Sequence, residues 1–232
     1  MSPVSGGVRR NVLADRHVLV SAGPTYEDID PVRFLGNRSS GRMGFAVAAA
    51  ALDAGARVTL VAGPVALPTP PGVERRDVRS AAQMHQAVMD SLPADVYIGA
   101  AAVADFTPVH VAGHKIKKRP GDAGLVLELV RTRDILADVA RHERRPLLVV
   151  GFAAETADLE HNALAKLRDK QLDMVCGNRV GTAGSGFESP DNTLEVYWAG
   201  GHRRLGPGPK TTIATALIDL LAPRLPAIPE HH

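Results

Sequence analysis

His17-Val18-Leu19-Val20, the alanine-rich stretch from Met43 to Ala54, and Arg57-Val58-Thr59-Leu60-Val61-Ala62 decide the fold. The first and third are short apolar runs of strand length, and the middle one has helical spacing and stops at Gly55, which together make a β-α-β unit. Working outward, Ser80-Ala81-Ala82-Gln83 has the spacing of a capping box, with Met84, Val88 and Leu92 recurring every fourth residue behind it. Val96 to Ala101 and Leu147 to Val150 are unbroken apolar runs, expected of central parallel strands covered on both faces. Leu125 to Val130, Leu194 to Trp198 and His202 to Leu205 alternate like antiparallel ribbons, the last two around Gly200-Gly201. A final helix runs from Thr212 to Leu221 and ends before Pro223. The fold class is therefore α/β, a Rossmann-like, three-layer, doubly wound and mainly parallel sheet with antiparallel additions.

The 232 residues, 45% apolar and 22% charged, suit one sizeable domain, placed at residues 16–222. Residues 1–15 and 223–232 read as flexible tails, the first also as a linker to something upstream. A net charge of +2 is too small for a nucleic-acid-binding surface. No apolar stretch approaches membrane-spanning length, and Cys176 is the only cysteine, so a cytoplasmic location is expected without disulfides. Cys176 lies among strand residues and reads as a buried thiol, not a nucleophile.

In a doubly wound sheet the ligand crevice lies beyond the carboxyl ends of the strands. After the first strand come Ser21-Ala22-Gly23-Pro24-Thr25, Asp30-Pro31-Val32-Arg33 and Asn37-Arg38-Ser39-Ser40-Gly41-Arg42-Met43-Gly44. A glycine turn, one arginine, one asparagine and a Ser-Ser-Gly helix start suit an enzyme acting on phosphates or acyl-phosphates. Gly36 to Met43 nearly matches a P-loop, but the lysine and the magnesium-binding hydroxyl are missing. What remains is a helix N-terminus at Ser39, Ser40 and Gly41, fit either for a phosphate or for plain capping by a serine. Asp105, after the small residues that close the Val96 strand, leaves one carboxylate in the crevice or caps a turn. His114 to Gly124 reads as a mobile basic flap or a solvated loop, and Lys166 and Lys170 stand one helical turn apart.

Taken in order, those three segments with Ala-Ala-Val-Ala-Asp-Phe at 101–106, Lys-Ile-Lys-Lys at 115–118, Gly-Phe-Ala-Ala-Glu-Thr at 151–156 and Asp-Met-Val-Cys-Gly-Asn at 173–178 closely resemble bacterial phosphopantothenate-cysteine ligase, also called phosphopantothenoylcysteine synthetase. The resemblance covers roughly residues 17–221. It implies a Rossmann-like, usually dimeric enzyme that joins 4'-phosphopantothenate to cysteine in coenzyme A synthesis, with CTP as co-substrate and Mg2+. It further implies that Lys115 assists formation of an acyl-cytidylate, that Asn37 holds the carbonyl of that intermediate, and that Arg33 helps when the cysteine amine displaces CMP. Gly23, Ser39, Ser40 and Gly41 fall to anionic groups. Ala102, Asp105, Lys115, Arg133, Asp134, Ile135, Leu136, Phe152, Lys166 and Lys170 fall to the nucleotide, Ala153 to Thr156 to the same rim, and Asp105 to magnesium as an alternative.

Two departures stand out. Members of the bacterial family are commonly fused behind a flavin-dependent phosphopantothenoylcysteine decarboxylase, for which this chain has no room, so it reads as one half of a bifunctional protein. Arg133 occupies the place of an expected proline before Asp134-Ile135. Two other functions compete. An NAD(P)-dependent oxidoreductase would need a Gly-x-Gly-x-x-Gly turn or a Tyr-x-x-x-Lys pair, and neither is present. A non-catalytic nucleotide-binding module would not need Asn37 or the flap lysine.

Overall fold

The computed structural model describes residues 11–117, 124–155, 158–179 and 191–227. Along the chain run β1 (His17–Ala22), β2 (Tyr26–Asp30), β3 (Arg33–Gly36), α1 (Arg42–Asp53), β4 (Arg57–Ala62), β5 (Glu74–Asp77), α2 (Ala81–Met89), β6 (Val96–Gly99), β7 (Phe106–Pro108), β8 (Leu129–Arg131), α3 (Ile135–Ala140), β9 (Leu148–Glu155), α4 (Leu159–Asp169), β10 (Met174–Arg179), β11 (Asp191–Trp198), β12 (Gly201–Pro209) and α5 (Lys210–Leu221). The main sheet has the order β12-β11-β10-β9-β6-β1-β4-β5. Strands β5 to β10 of that order are parallel, and β11 and β12 add antiparallel at one edge.

This is the doubly wound, Rossmann-like pattern. From β1 the chain builds outward through β4 and β5 on one side, then returns to lay β6, β9 and β10 on the other. The switch point lies between β1 and β6, where such sheets open a crevice. Alternation along β1 divides the core: Val18, Val20 and Ala22 pack in the cluster that contains α1 and α5, whereas Leu19 packs with α2, α3 and α4. Ser80 caps α2 and closes the capping box with Gln83.

Several expected boundaries move. Leu13, placed in a flexible tail by the sequence, is fully buried in the core, because its backbone N–H is taken by Ala54 at the end of α1. Residues 223–227, also placed in a tail, pack back: Arg224 lies 4.3 Å over the Trp198 ring and Arg16 donates to the Pro226 carbonyl. Residues 1–10 and 228–232 lie outside the described residues. Of the ribbon expected at Leu125 to Val130, only Leu129–Arg131 is strand, paired antiparallel with β7.

One helix–strand approach sets the depth of the crevice. A methyl group at Gly44 would fall 2.4 Å from the Ala22 Cβ, so α1 can press on the end of β1 only because residue 44 has no side chain. Gly44→Ala is expected to cost about 1–3 kcal/mol of stability by overpacking. Gly113→Ala, where an added methyl meets nothing within 4 Å, should change stability by less than about 0.5 kcal/mol. Thermal melts of the two variants check this; equal midpoints would contradict it.

Candidate active site

At the switch point the chain leaving β1 crosses from β4 toward β6. Gly63 still donates to the Ala22 carbonyl at 2.8 Å, but Ala102 then donates to Gly23 at 2.9 Å and Thr25 to Ala102 at 3.3 Å. The buried Thr25 hydroxyl accepts the Ala104 N–H at 2.9 Å, and the Thr132 hydroxyl donates to the Ala104 carbonyl at 2.6 Å. Loops after β1, β6 and β8 are thereby tied into one rim.

Two cavities open on this rim. The first, about 460 Å³, lies on the α3–α4 side and is lined by Asp134, Ile135, Leu136, Lys166 and Lys170 among others. The second, about 450 Å³, lies at the start of α1 and is lined by Asn37, Ser39, Ser40, Gly41 and Ala102, with Asn178, Asn192 and Lys210 opposite. Ala101, Val103, Asp105, Phe152 and Lys166 line both, so the cavities adjoin.

The first cavity is cationic and tightly wired. Lys166 donates to the Phe152 carbonyl at 2.6 Å, and burial, with the neighbouring Lys170 charge, pulls its ammonium down to about 8. Lys170 pairs with Asp134 at 2.7 Å. Burial raises the Asp134 carboxyl, but Lys170 and the Ala137 N–H at the start of α3 outweigh it and hold the group below its usual range. Deep in this cavity the hydroxyls of Ser21 and Tyr97 share a hydrogen bond at 2.9 Å. Burial keeps the Tyr97 phenol protonated well above its usual range.

The second cavity ends on the N-terminus of α1. Gly41 is the N-cap in a left-handed conformation, φ 71°, and no side chain caps the helix. Serine capping, the alternative left open by the sequence, is thus not what the helix uses; the Ser39 hydroxyl instead accepts the Gly41 N–H at 3.3 Å. Asn37 donates to the Val103 carbonyl at 2.9 Å.

Other expected site residues lie elsewhere. Gly23 lines neither cavity and backs the rim against Gly63 and Val65. Arg133 reaches the first cavity, yet its guanidinium is 72% exposed and binds Asp138, which also accepts from His85 at 2.8 Å. Ala102 belongs to the second cavity, not to the one that holds Lys170 and Asp134. Arg33 and Lys115 line neither. The Arg33 guanidinium binds Asp30 and the Ile116 carbonyl, and Lys115 is exposed beside Ile116. Flap residues 118–123 and Thr156 lie outside the described residues.

Asn192 and Lys210 carried no sequence expectation, and Asn178 closed the resembling segment at 173–178 without an assigned role. Asn178 was findable, since it lies at the carboxyl end of the apolar run that became β10. Lys210 was not: it is the first residue of α5, brought to the cavity by the packing of α5 on α1. Cys176 is buried in β10 and its thiol is pushed up by burial, consistent with an inert structural role.

Comparison with known proteins places this geometry. Residues 13–224 match the model of the DNA/pantothenate metabolism flavoprotein C-terminal domain. The chain is 50% identical over 212 residues to the coenzyme A biosynthesis bifunctional protein CoaBC of Vibrio cholerae, covering 90% of this chain and 53% of that protein. To its Bacillus subtilis counterpart it is 48% identical over 194 residues, covering 83% and 47%. The chain thus spans about half the length of the curated relatives it matches. A crystal structure of the C-terminal domain of CoaBC superposes with a TM-score of 0.78 at 37% identity, covering 93% of this chain and 98% of that one. A fold with the switch-point cavities and a family match over nearly its whole packed length leads to one conclusion: the chain belongs to the family of DNA/pantothenate metabolism flavoprotein C-terminal domains.

Proposed function

We propose that the chain is a CTP-dependent ligase that joins 4'-phosphopantothenate to L-cysteine through an acyl-cytidylate, in coenzyme A biosynthesis. The observation that carries this reading is the pair of adjoining cavities, one cationic and one on a helix N-terminus, within a family whose relatives are named for that pathway. The triphosphate belongs beside Lys166 and Lys170. The phosphate of 4'-phosphopantothenate belongs at Ser39, Ser40 and Gly41, where the helix dipole favours an anion. Its carboxylate then meets the nucleotide at the shared wall around Ala101 and Val103.

In the first step a carboxylate oxygen attacks the α-phosphorus of CTP, the bond to the bridging β-phosphate oxygen breaks, and pyrophosphate leaves with that electron pair. In the second, the neutral amine of cysteine attacks the acyl carbon, the bond to the cytidylate oxygen breaks, and CMP departs while the amine sheds a proton to solvent. Lys166 offsets charge on the phosphates, and Asn37 donates to the acyl oxygen as it becomes anionic. Lys115 serves the first step and Arg33 the second, which requires the β2–β3 turn and the loop that carries Lys115 to approach the substrates together. Asp105, exposed at the junction, would hold Mg2+ together with nucleotide phosphates. Among the described residues no three His, Cys, Asp or Glu side chains form a metal cluster, which suits an ion that keeps most of its coordination for phosphate and water. Bound there, magnesium would neutralise part of the triphosphate charge.

The relatives' remaining length would carry the flavin-dependent decarboxylase. Exposed Val32 and Phe34 on the β2–β3 hairpin, with Phe106, Val109, Leu129 and Val130 on and beside the β7–β8 ribbon, support a homodimer formed through these two ribbons. No helix among the described residues is long and apolar enough to cross a membrane.

The reading is tested by supplying 4'-phosphopantothenate, Mg2+ and either CTP or ATP. Pyrophosphate should appear with CTP, at least about tenfold faster than with ATP, a discrimination that needs only ~1.4 kcal/mol. CMP and the amide should follow once cysteine is added. Neither product from folded protein would overturn the assignment.

A pH profile tests the placement of the triphosphate. Lys166 is cationic below about 8, so its attraction for phosphate is complete below that pH and lost above it. We predict that kcat/KM for CTP falls above pH 8, and that Lys166→Gln removes this limb. Stability should move oppositely and rise between about 8 and the unperturbed 10.5, where the unfolded chain binds the extra proton.

A further inference from the structure

Between the rim and the exposed basic segment lies a carboxylate with no assigned role. Asp30 ends β2, and its side chain is wholly shielded from solvent. One carboxylate oxygen accepts the N–H groups of Val32 and Arg33, each at 2.9 Å, which closes the β2–β3 turn. The other accepts from the Arg33 guanidinium, with Nε at 3.0 Å, and from the Ile116 N–H at 3.0 Å. Arg33 completes the ring by donating from Nη2 to the Ile116 carbonyl at 2.9 Å. Both backbone groups of Ile116 are therefore held by the Asp30–Arg33 pair. Upstream, Ala112 donates to the Ile29 carbonyl at 2.9 Å, a second tie between the same strand and segment.

The chemistry explains why a carboxylate stands here. A backbone N–H and a guanidinium approach one oxygen, and only an anion accepts both while neutralising the arginine. The Arg33 guanidinium, then the Val32 and Ile116 N–H groups, outweigh burial and hold the Asp30 carboxyl well below the usual range. It is thus ionised at any pH where the enzyme would work. Ile116 is flanked by Lys115 and Lys117, both exposed. The hairpin itself is fixed to the body of the protein at its other end, where the buried Glu27 accepts the Ala81 N–H at the start of α2 at 2.8 Å.

We infer that Asp30 is a positioning residue that locks Arg33 and the Lys115-bearing segment into a single unit, so that the cations proposed for the two half-reactions are presented together. This rests on the ligase reading above. Asp30 itself touches no substrate. It acts by setting the spacing between a guanidinium that it binds directly and an ammonium one residue from the backbone group that it holds.

The test uses the full chain and two independent readouts. In the unmodified protein, amide hydrogen exchange at Ile116 should be slower than at Lys115 and Lys117 by about tenfold or more, as for a hydrogen bond to a buried acceptor. In Asp30→Asn this protection should disappear while amides of β1 and β6 keep theirs. The same variant should lower both pyrophosphate release and amide formation by about tenfold or more, with KM for CTP changed less than about threefold. Lys115→Gln should lower mainly the first step and Arg33→Gln mainly the second. Added to the Arg33→Gln, Lys115→Gln double variant, Asp30→Asn should change neither step by more than about twofold, since its effect passes through those side chains. A fully additive loss would mean a merely structural role and would overturn the inference, as would normal rates in Asp30→Asn. Should that variant fail to fold, Ile116→Pro removes the N–H that Asp30 receives while leaving the carboxylate in place, and normal half-reactions in it would be equally fatal. A chain that ligates with Ile116 unprotected overturns the anchor. One that protects Ile116 but ligates with no nucleotide overturns the ligase reading instead.

Discussion

Everything at the site depends on how closely the backbone leaving β1 can pass over the backbone leaving β4. A Cβ at Gly63 would lie 1.7 Å from the Pro24 carbonyl oxygen, so the crossing exists only without a side chain there. The crossing turns Pro24 toward Ala102, where the two form a parallel bridge beyond the sheet. It thereby carries the chain leaving β1 across to the loop after β6, whose Ala101 and Val103 line both cavities. The two cavities lie on the two sides of that shared wall. Strand alternation divides the two faces of β1: Ser21 lines the first cavity, while Ala22 is buried in the core against α1.

Electrostatics then distinguish the sides. The first cavity holds two lysines in close company, one of them weakened as a base by burial and by its neighbour, the other paired with Asp134. Such a site is costly when empty of anions and is relieved by a bound phosphate chain. The second joins the start of α1, which has no side-chain cap, to the cationic side chains of Arg38, Arg42 and Lys210 in its wall. A nucleotide and a smaller phosphorylated acid are the complementary pair, and the shared wall is where their reacting atoms meet.

The parts legible in the sequence were those governed by local rules. The β-α-β unit, the capping box at Ser80 and the antiparallel edge follow from periodicity and turn residues, and each formed within a few residues of expectation. The hairpin from Tyr26 to Gly36 was not legible. Its strands carry Glu27, Asp28 and Asp30, and no apolar run or alternation marks them as strands. Glu27 and Asp30 are buried only because Ala81 and Ile116, far along the chain, supply N–H groups to them. Strand β5, Glu-Arg-Arg-Asp, escaped notice for a related reason: it is a charged edge strand whose arginines are satisfied by Glu74 and Asp77. The site divided the same way. Asp134 and Leu136 follow β8, Phe152 lies within β9, and Lys166 and Lys170 stand one turn apart at the end of α4, yet all five converge on one cavity. Arg33 and Lys115 do not, because their position is set by the carboxylate between them and not by the sheet.

The central claim is that the acid is activated on the α-phosphorus, which fixes the fate of one oxygen atom. 4'-Phosphopantothenate labelled with oxygen-18 in its carboxylate, turned over with CTP and cysteine, should pass one labelled oxygen to the phosphate of CMP and none to pyrophosphate. Unlabelled CMP, or label in orthophosphate formed alongside CDP, would contradict an acyl-cytidylate.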